Sequence, residues 1–231
     1  AVLELFPNTQ VEYRFTNRGK QRFNQEFLDA LKHQINDLFP LLTVTDEQIT
    51  WFKKTCPYIK GMYFEFLRNY RFNPSEVTIS LTADDNLDIK IRGPWHSAIM
   101  WEVPLMATIS GLYFKIIDKN WSMEGQKDLA ANKAKQLEIR GIKYSDFGLR
   151  RRRNFETQDL VVSTFKEQRI PTQPSFVGTS NVYLAWKYDL KPIGSYAHEW
   201  VQANAVLESL QHADYYAMHN WTKIFNCTLG I

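Results

Sequence analysis

The chain has 231 residues, of which 44% are apolar and 14% aromatic, enough to bury a sizeable core in one large domain or two smaller ones. A net charge of +3 is too small to argue for a nucleic-acid or membrane partner, so any electrostatic case rests on local clusters. No apolar run reaches the length of a membrane span, and the first residues lack a signal-peptide pattern. Two cysteines without metal-ligand spacing, Cys56 and Cys227, fit a reducing compartment, so a cytoplasmic protein is expected.

Ala1 leads directly into Val2-Leu3-Glu4-Leu5-Phe6, and Leu229-Gly230-Ile231 reads as a strand that has just begun. An unpaired buried strand makes a poor terminus, so a chain cut at both ends is expected. Val11, Tyr13 and Phe15 alternate with polar residues, as in a strand with one buried face. A helix over 22–38 places Phe23, Phe27, Leu28, Leu31, Ile35 and Leu38 on one side. Thr45 and Gln48 form a capping-box signature for a second helix carrying Ile49 and Phe52. Residues 77–92 read as a hairpin turning at Asp84-Asp85-Asn86. A long apolar helix is expected from Trp95 to Ile117, kinked or broken at Pro104, followed by a charged helix over about 125–138.

After Gly141 the rhythm becomes strand, loop, helix. Strands are expected near 142–147, 174–177, 191–194 and 227–231, with helices over 155–168, 180–188 and 197–218. Repeated βα units specify a parallel sheet or barrel, with chemistry at the carboxyl ends of the strands. The fold class is thus α/β, with an N-terminal α+β domain over 1–140 and βα units over 141–231.

Three polar clusters fall at that strand-end edge: Asp146-Phe147-Gly148-Leu149-Arg150-Arg151-Arg152-Arg153, Gly178-Thr179-Ser180-Asn181 and Gly194-Ser195-Tyr196-Ala197-His198-Glu199. Arg150 is placed to reach a phosphate or carboxylate, and Phe147 to stack on a flat ligand. The alternatives stay open: Phe147 as core, and the arginines as a solvated face; four consecutive arginines cannot all face one ligand, so at least one or two should be structural or solvent-facing. A nucleic-acid reading of the run is weakened by Asp146, Glu156 and Asp159 around it and by the lack of a second basic stripe. Thr179, Ser180 and Asn181 suit an anion at a helix start or simple helix capping. His198 sits in a first helical turn, where the dipole disfavours imidazolium and leaves a neutral ring able to act as nucleophile or base; a structural histidine is the alternative. No metal cluster is evident.

Phe176-Val177-Gly178-Thr179-Ser180-Asn181, Ala197-His198-Glu199-Trp200 and Asp146-Phe147-Gly148-Leu149-Arg150-Arg151-Arg152 together resemble nicotinate phosphoribosyltransferases. Arg71-Phe72-Asn73-Pro74, Gly93-Pro94-Trp95 and Trp101-Glu102-Val103-Pro104-Leu105 are similar to the bacterial branch. The resemblance implies a type II phosphoribosyltransferase fold: an N-terminal α+β layer packed on the first part of an irregular α/β (TIM-like) barrel, in a homodimer with active sites near the subunit interface. It implies transfer of phosphoribose from phosphoribosyl pyrophosphate to nicotinate, giving nicotinate mononucleotide and pyrophosphate in NAD salvage. ATP hydrolysis is coupled to the transfer, and Mg2+ accompanies the phosphates. Neither a nucleic acid nor a membrane is among the implied partners.

Carried over by residue, the resemblance makes His198 the phosphohistidine, Phe147 the ring stacked on pyridine and Arg150 the arginine near the phosphates. Ser195, where relatives often have threonine, and Thr179 join the substrate-binding set. Ser180 stands where nicotinamide-specific relatives have aspartate, which would repel a carboxylate, whereas serine donates to it. Two departures accompany this: the family's Asp-x-Tyr-Lys segment and the second half of its barrel are not in the sequence, and Arg153-Asn154 replaces the more usual Phe-Ser. The segment alone is expected to be inactive. A nicotinamide-type or other pyridine phosphoribosyltransferase, or a non-catalytic fragment of such an enzyme, are the competing readings.

Overall fold

A computed structural model describes residues 1–19, 21–194 and 197–226. In chain order its elements begin with α1 (Val2–Leu5), β1 (Gln10–Arg14), α2 (Gln25–His33), α3 (Asp46–Thr55) and α4 (Gly61–Asn69). The hairpin β2 (Val77–Leu81) and β3 (Leu87–Pro94) follows, then α5 (Trp95–Ile116) and α6 (Gln126–Ile139). Beyond these lie β4 (Tyr144–Asp146), α7 (Phe155–Glu167), β5 (Phe176–Thr179), α8 (Val182–Lys187), β6 (Lys191–Pro192), α9 (His198–Leu207) and α10 (Ala213–Phe225). The chain divides into two compact units, one of Ala1–Thr9, Val44–Tyr70 and Gly194–Ile231, the other of Gln10–Thr43 and Arg71–Ile193.

The second unit holds two three-stranded sheets. The first is antiparallel in the order β1-β3-β2, with Val11 opposite Gly93 and Ile79 opposite Ile89. Alternation puts Leu87, Ile89 and Ile91 of β3 on its buried face, as a half-buried strand requires. Helices α2 and α5 pack on this sheet. Asn24 caps α2 by accepting from the Phe27 N–H at 2.9 Å, and the regular helix ends at His33, where a π turn over Gln34–Leu38 takes over. The expected single helix over 22–38 is therefore shorter, because the Phe39-Pro40 step just beyond draws the chain into a 3-10 turn. The wider turn still buries Ile35, while Leu38 stays exposed.

Helix α5 runs unbroken through Pro104, so that of the expected kink or break the break does not occur. Proline costs roughly 3 kcal/mol inside a helix through its missing N–H and the clash of its ring. Here Trp95, Ala98, Trp101, Leu105, Ala107 and Ile109 are buried from the same helix, and each large apolar side chain returns ~1.5–3 kcal/mol. Trp101 is fully enclosed against Phe72 and Phe39, with ring centroids 4.7 and 5.2 Å away. Its indole N–H donates to Glu76 at 2.8 Å, and Ser97 donates to the other oxygen of the same carboxylate at 2.7 Å.

The second sheet of this unit is parallel, in the order β4-β5-β6. β4 and β6 are shorter than the sequence suggests and β5 lies two residues further on than expected, and among the described residues they form an open sheet with no closed barrel. Helix α6 packs on α7 and is tied to the sheet through Glu138. This buried carboxylate accepts from the backbone N–H groups of Phe176 at 2.8 Å, Ser175 at 3.0 Å and Ile170 at 3.2 Å. Burial pushes its pKa upward, but these donors outweigh burial and leave the carboxyl below its usual range.

In the first unit α3 opens with the expected capping box: the Gln48 N–H donates to Thr45, and the Thr45 N–H to the Gln48 side chain. Phe52 of α3 meets Phe64 of α4 edge-on at 5.4 Å, and Phe6 meets Trp200 at 5.8 Å. The single helix expected over 197–218 is two helices, α9 and α10. The chain turns back over 208–212 because buried polar groups are satisfied only across the pair. Trp200 donates its indole N–H to the Ala217 carbonyl at 2.9 Å, and Asn220 donates to the Asn204 side chain at 2.7 Å. The strand expected over 227–231 lies outside the described residues.

Candidate active site

The carboxyl ends of β4 and β5 lie side by side, with Asp146 opposite Thr179 in parallel register. Phe147 and Ser180 are thus the first residues past a matched pair of strand ends, as the βα pattern requires. Phe147 is 55% exposed, which removes its reading as core. The Ser180 backbone N–H donates to the Asp146 carbonyl at 2.8 Å, its side chain is half-buried, and its hydroxyl bonds none of the described residues.

Thr179 is fully buried, donates its hydroxyl to the Asp146 carboxylate at 2.7 Å and accepts from the Asn181 N–H at 3.1 Å. Its polar capacity is turned inward. Gly178 is needed for close backbone approach, but to the neighbouring strand: a Cβ there would lie 1.9 Å from the Lys191 carbonyl oxygen. Asn181 caps α8 by accepting from the N–H groups of Tyr183 at 3.1 Å and Leu184 at 3.3 Å. The capping reading of this cluster therefore holds for Asn181.

A polar network that the sequence reading did not single out joins these strand ends. The Asp146 carboxylate accepts from the Gly148 N–H at 2.9 Å, from Gln158 at 2.7 Å and from Thr179. The Gln158 side-chain oxygen Oε1 accepts from Arg152 at 3.0 Å and from Asn181 at 3.0 Å. Gln158 is buried on α7 one turn from buried Val162, and a polar residue at the spacing of an apolar face is the signal that could have found it.

The arginine run divides as the expectation of partial structural use requires. Arg153 stacks between Phe114 at 4.2 Å and Trp121 at 4.7 Å and donates to the Asp118 carbonyl at 2.8 Å. Burial lowers the Arg152 pKa, opposed by Glu156 and Asp146, and its carbonyl accepts from Ser110 at 2.7 Å. Arg150 and Arg151 are exposed, on a 3-10 turn that rests against α5. Arg150 pairs with Glu102 of α5. Together with Tyr13, Phe15 and Arg18, these arginines line an open groove of about 640 Å³. Phe147, Thr179 and Ser180 are not in its lining.

His198 opens α9, exposed, and belongs to the other compact unit. Ser195 lies outside the described residues. Among the described residues no group of three or more His, Cys, Asp or Glu side chains could hold a metal ion, and no helix is long and apolar enough to cross a membrane.

Two family models match in succession, the nicotinate phosphoribosyltransferase N-terminal domain over residues 1–110 and the nicotinate phosphoribosyltransferase family over 142–231. The chain belongs to the nicotinate phosphoribosyltransferase family. A family relative from Methanosarcina mazei is 44% identical across the whole chain, which spans 60% of that protein. One from Saccharomyces cerevisiae is 37% identical over 97% of the chain and 56% of the relative. The crystal structure of nicotinate phosphoribosyltransferase from Porphyromonas gingivalis superposes with a TM-score of 0.94 at 32% identity, covering 99% of this chain and 58% of that one. The chain thus spans about three-fifths of the length of such family members.

Proposed function

We propose that the protein transfers phosphoribose from phosphoribosyl pyrophosphate to nicotinate, coupled to ATP hydrolysis, and so supplies nicotinate mononucleotide for NAD synthesis. The pyridine nitrogen forms a bond to C1 of the ribose as the C1–oxygen bond to pyrophosphate breaks, and pyrophosphate leaves. In this reading Phe147 stacks on the pyridine ring, and Ser180 donates its hydroxyl to the carboxylate. Arg150 neutralises phosphate at the sheet edge, and Ser195 and Thr179 belong to the substrate-binding set. Thr179 acts there through the strand end it holds, since its hydroxyl is bonded inside the protein.

His198 accepts the γ-phosphoryl group of ATP: a nitrogen–phosphorus bond forms as the bond from the γ-phosphorus to the ADP oxygen breaks, ADP leaves, the added charge reorganises the pyrophosphate side of the site, and water then cleaves the nitrogen–phosphorus bond and releases phosphate. Mg2+ belongs to the same reading as the counter-ion of the substrate phosphates. A homodimeric cytoplasmic enzyme belongs to the same reading. So does a division into an N-terminal α+β domain over 1–140 and the first βα units of a phosphoribosyltransferase barrel over 141–231, supported by family matches that end at 110 and resume at 142.

The observation that carries the choice of acid over amide is Ser180, half-buried, uncharged and the first residue past a strand end paired with the one that leads into the exposed Phe147. The test is formation of nicotinate mononucleotide by the intact protein supplied with nicotinate, phosphoribosyl pyrophosphate, ATP and Mg2+. Product is expected with nicotinate and little with nicotinamide. No product from the acid overturns the reading.

A further inference from the structure

We infer that Asp146 is a positioning residue, which fixes the separation between the Phe147 ring and Ser180 so that both address one flat substrate; this rests on the pyridine-binding reading above. Asp146 touches both strand ends. Its carbonyl accepts from the Ser180 N–H at 2.8 Å. One carboxylate oxygen accepts from the Gly148 N–H at 2.9 Å and so closes the turn that carries Phe147. The other accepts from Thr179 and Gln158, both at 2.7 Å.

The network has a fixed direction. Arg152 and Asn181 both donate to the Gln158 side-chain oxygen, which forces the Gln158 NH2 toward Asp146. An acceptor-only side chain is therefore required at 146. In Asp146→Asn the new NH2 must face either the Gln158 NH2 or the Gly148 N–H, and turning Gln158 over merely moves the conflict to Arg152 and Asn181. Every arrangement leaves two donors opposed. The double variant Asp146→Asn with Gln158→Glu restores the match. The amide introduced at 146 then donates to the carboxylate introduced at 158, and Arg152 and Asn181 keep their acceptor; the Thr179 O–H alone loses the oxygen it donates to.

In the intact protein, Asp146→Asn is expected to raise KM for nicotinate about tenfold, the cost of leaving one buried polar contact unmade. The change in kcat should be small, and ATP-dependent phosphorylation of His198 unchanged. Amide hydrogen exchange at Gly148 and Ser180 should quicken. Adding Gln158→Glu should return both KM and exchange most of the way to wild type, which a role in general stability would not produce. Wild-type KM and exchange in Asp146→Asn, or a double variant no better than the single one, overturns the inference. If the wild-type protein makes no nicotinate mononucleotide, the functional reading fails, and the exchange pattern of the two variants still decides whether Asp146 sets the strand ends.

Discussion

Serine and aspartate differ little in size but present opposite faces to a bound acid, one a donor and the other a negative charge. On the proposed reading that difference at position 180 sets substrate choice, the backbone there being tied to the Asp146 carbonyl. Ser180→Asp is expected to lower the ratio of kcat/KM for nicotinate over nicotinamide by about 100-fold, since like charges in a desolvated site cost several kcal/mol. An unchanged ratio in competition assays would sink this account of selectivity. For His198 the expected chemistry is visible directly: incubation with ATP should leave an acid-labile phosphate that His198→Ala abolishes, and labelling that persists in the variant removes its role as nucleophile. Phe147, Arg150, Ser180 and His198 were all legible as candidates because each stands in a short polar cluster after a strand or before a helix. Asp146 and Gln158 were not, because their work is done toward the interior, and nothing in a linear reading shows which carboxylate faces three donors.

At the scale of elements, periodicity and caps read well wherever the governing contacts are local. The Thr45–Gln48 capping box, the β2–β3 hairpin and the amphipathic α2 follow from spacing alone. The division of α9 from α10 and the passage of α5 through Pro104 do not, because buried indole, amide and apolar partners from elsewhere in the fold outweigh local preference. Glu138 is another long-range device, a carboxylate on α6 that terminates the free N–H groups leading into β5. Glu138→Gln should destabilise the protein by ~1–3 kcal/mol at pH 7, because one of its oxygens becomes a donor facing donors. The folded-state pKa lies below the ordinary value of 4.5, so the carboxylate's contribution is complete above that value and is lost as pH falls through the depressed one. Urea unfolding of wild type and variant should therefore converge as pH drops below 4.5. A gap that stays constant from neutral pH to acid would contradict this role.

For the molecule as a whole, the two compact units are interleaved along the chain: the unit containing α1, α3 and α4 is completed only by residues from Gly194 onward. Simple cuts in the sequence do not separate them, and linear composition carries no mark of this arrangement. Domains tend to fold as units as they are synthesised, at ~5–20 residues per second. The unit built from Gln10–Thr43 and Arg71–Ile193 has all its parts once Ile193 has emerged, while α3 and α4 still lack theirs. Limited proteolysis of ribosome-stalled chains should show α5 and β5 protected at lengths where the α3–α4 segment is still cut, and simultaneous protection of both would contradict this order. The order of synthesis thus gives α3 and α4 an interval in which Phe52 and Phe64 are covered from within their own segment, by each other and by Trp51, Lys53 and Tyr63. During that interval, rather than in the finished fold, their aromatic faces are open to a chaperone or to another nascent chain.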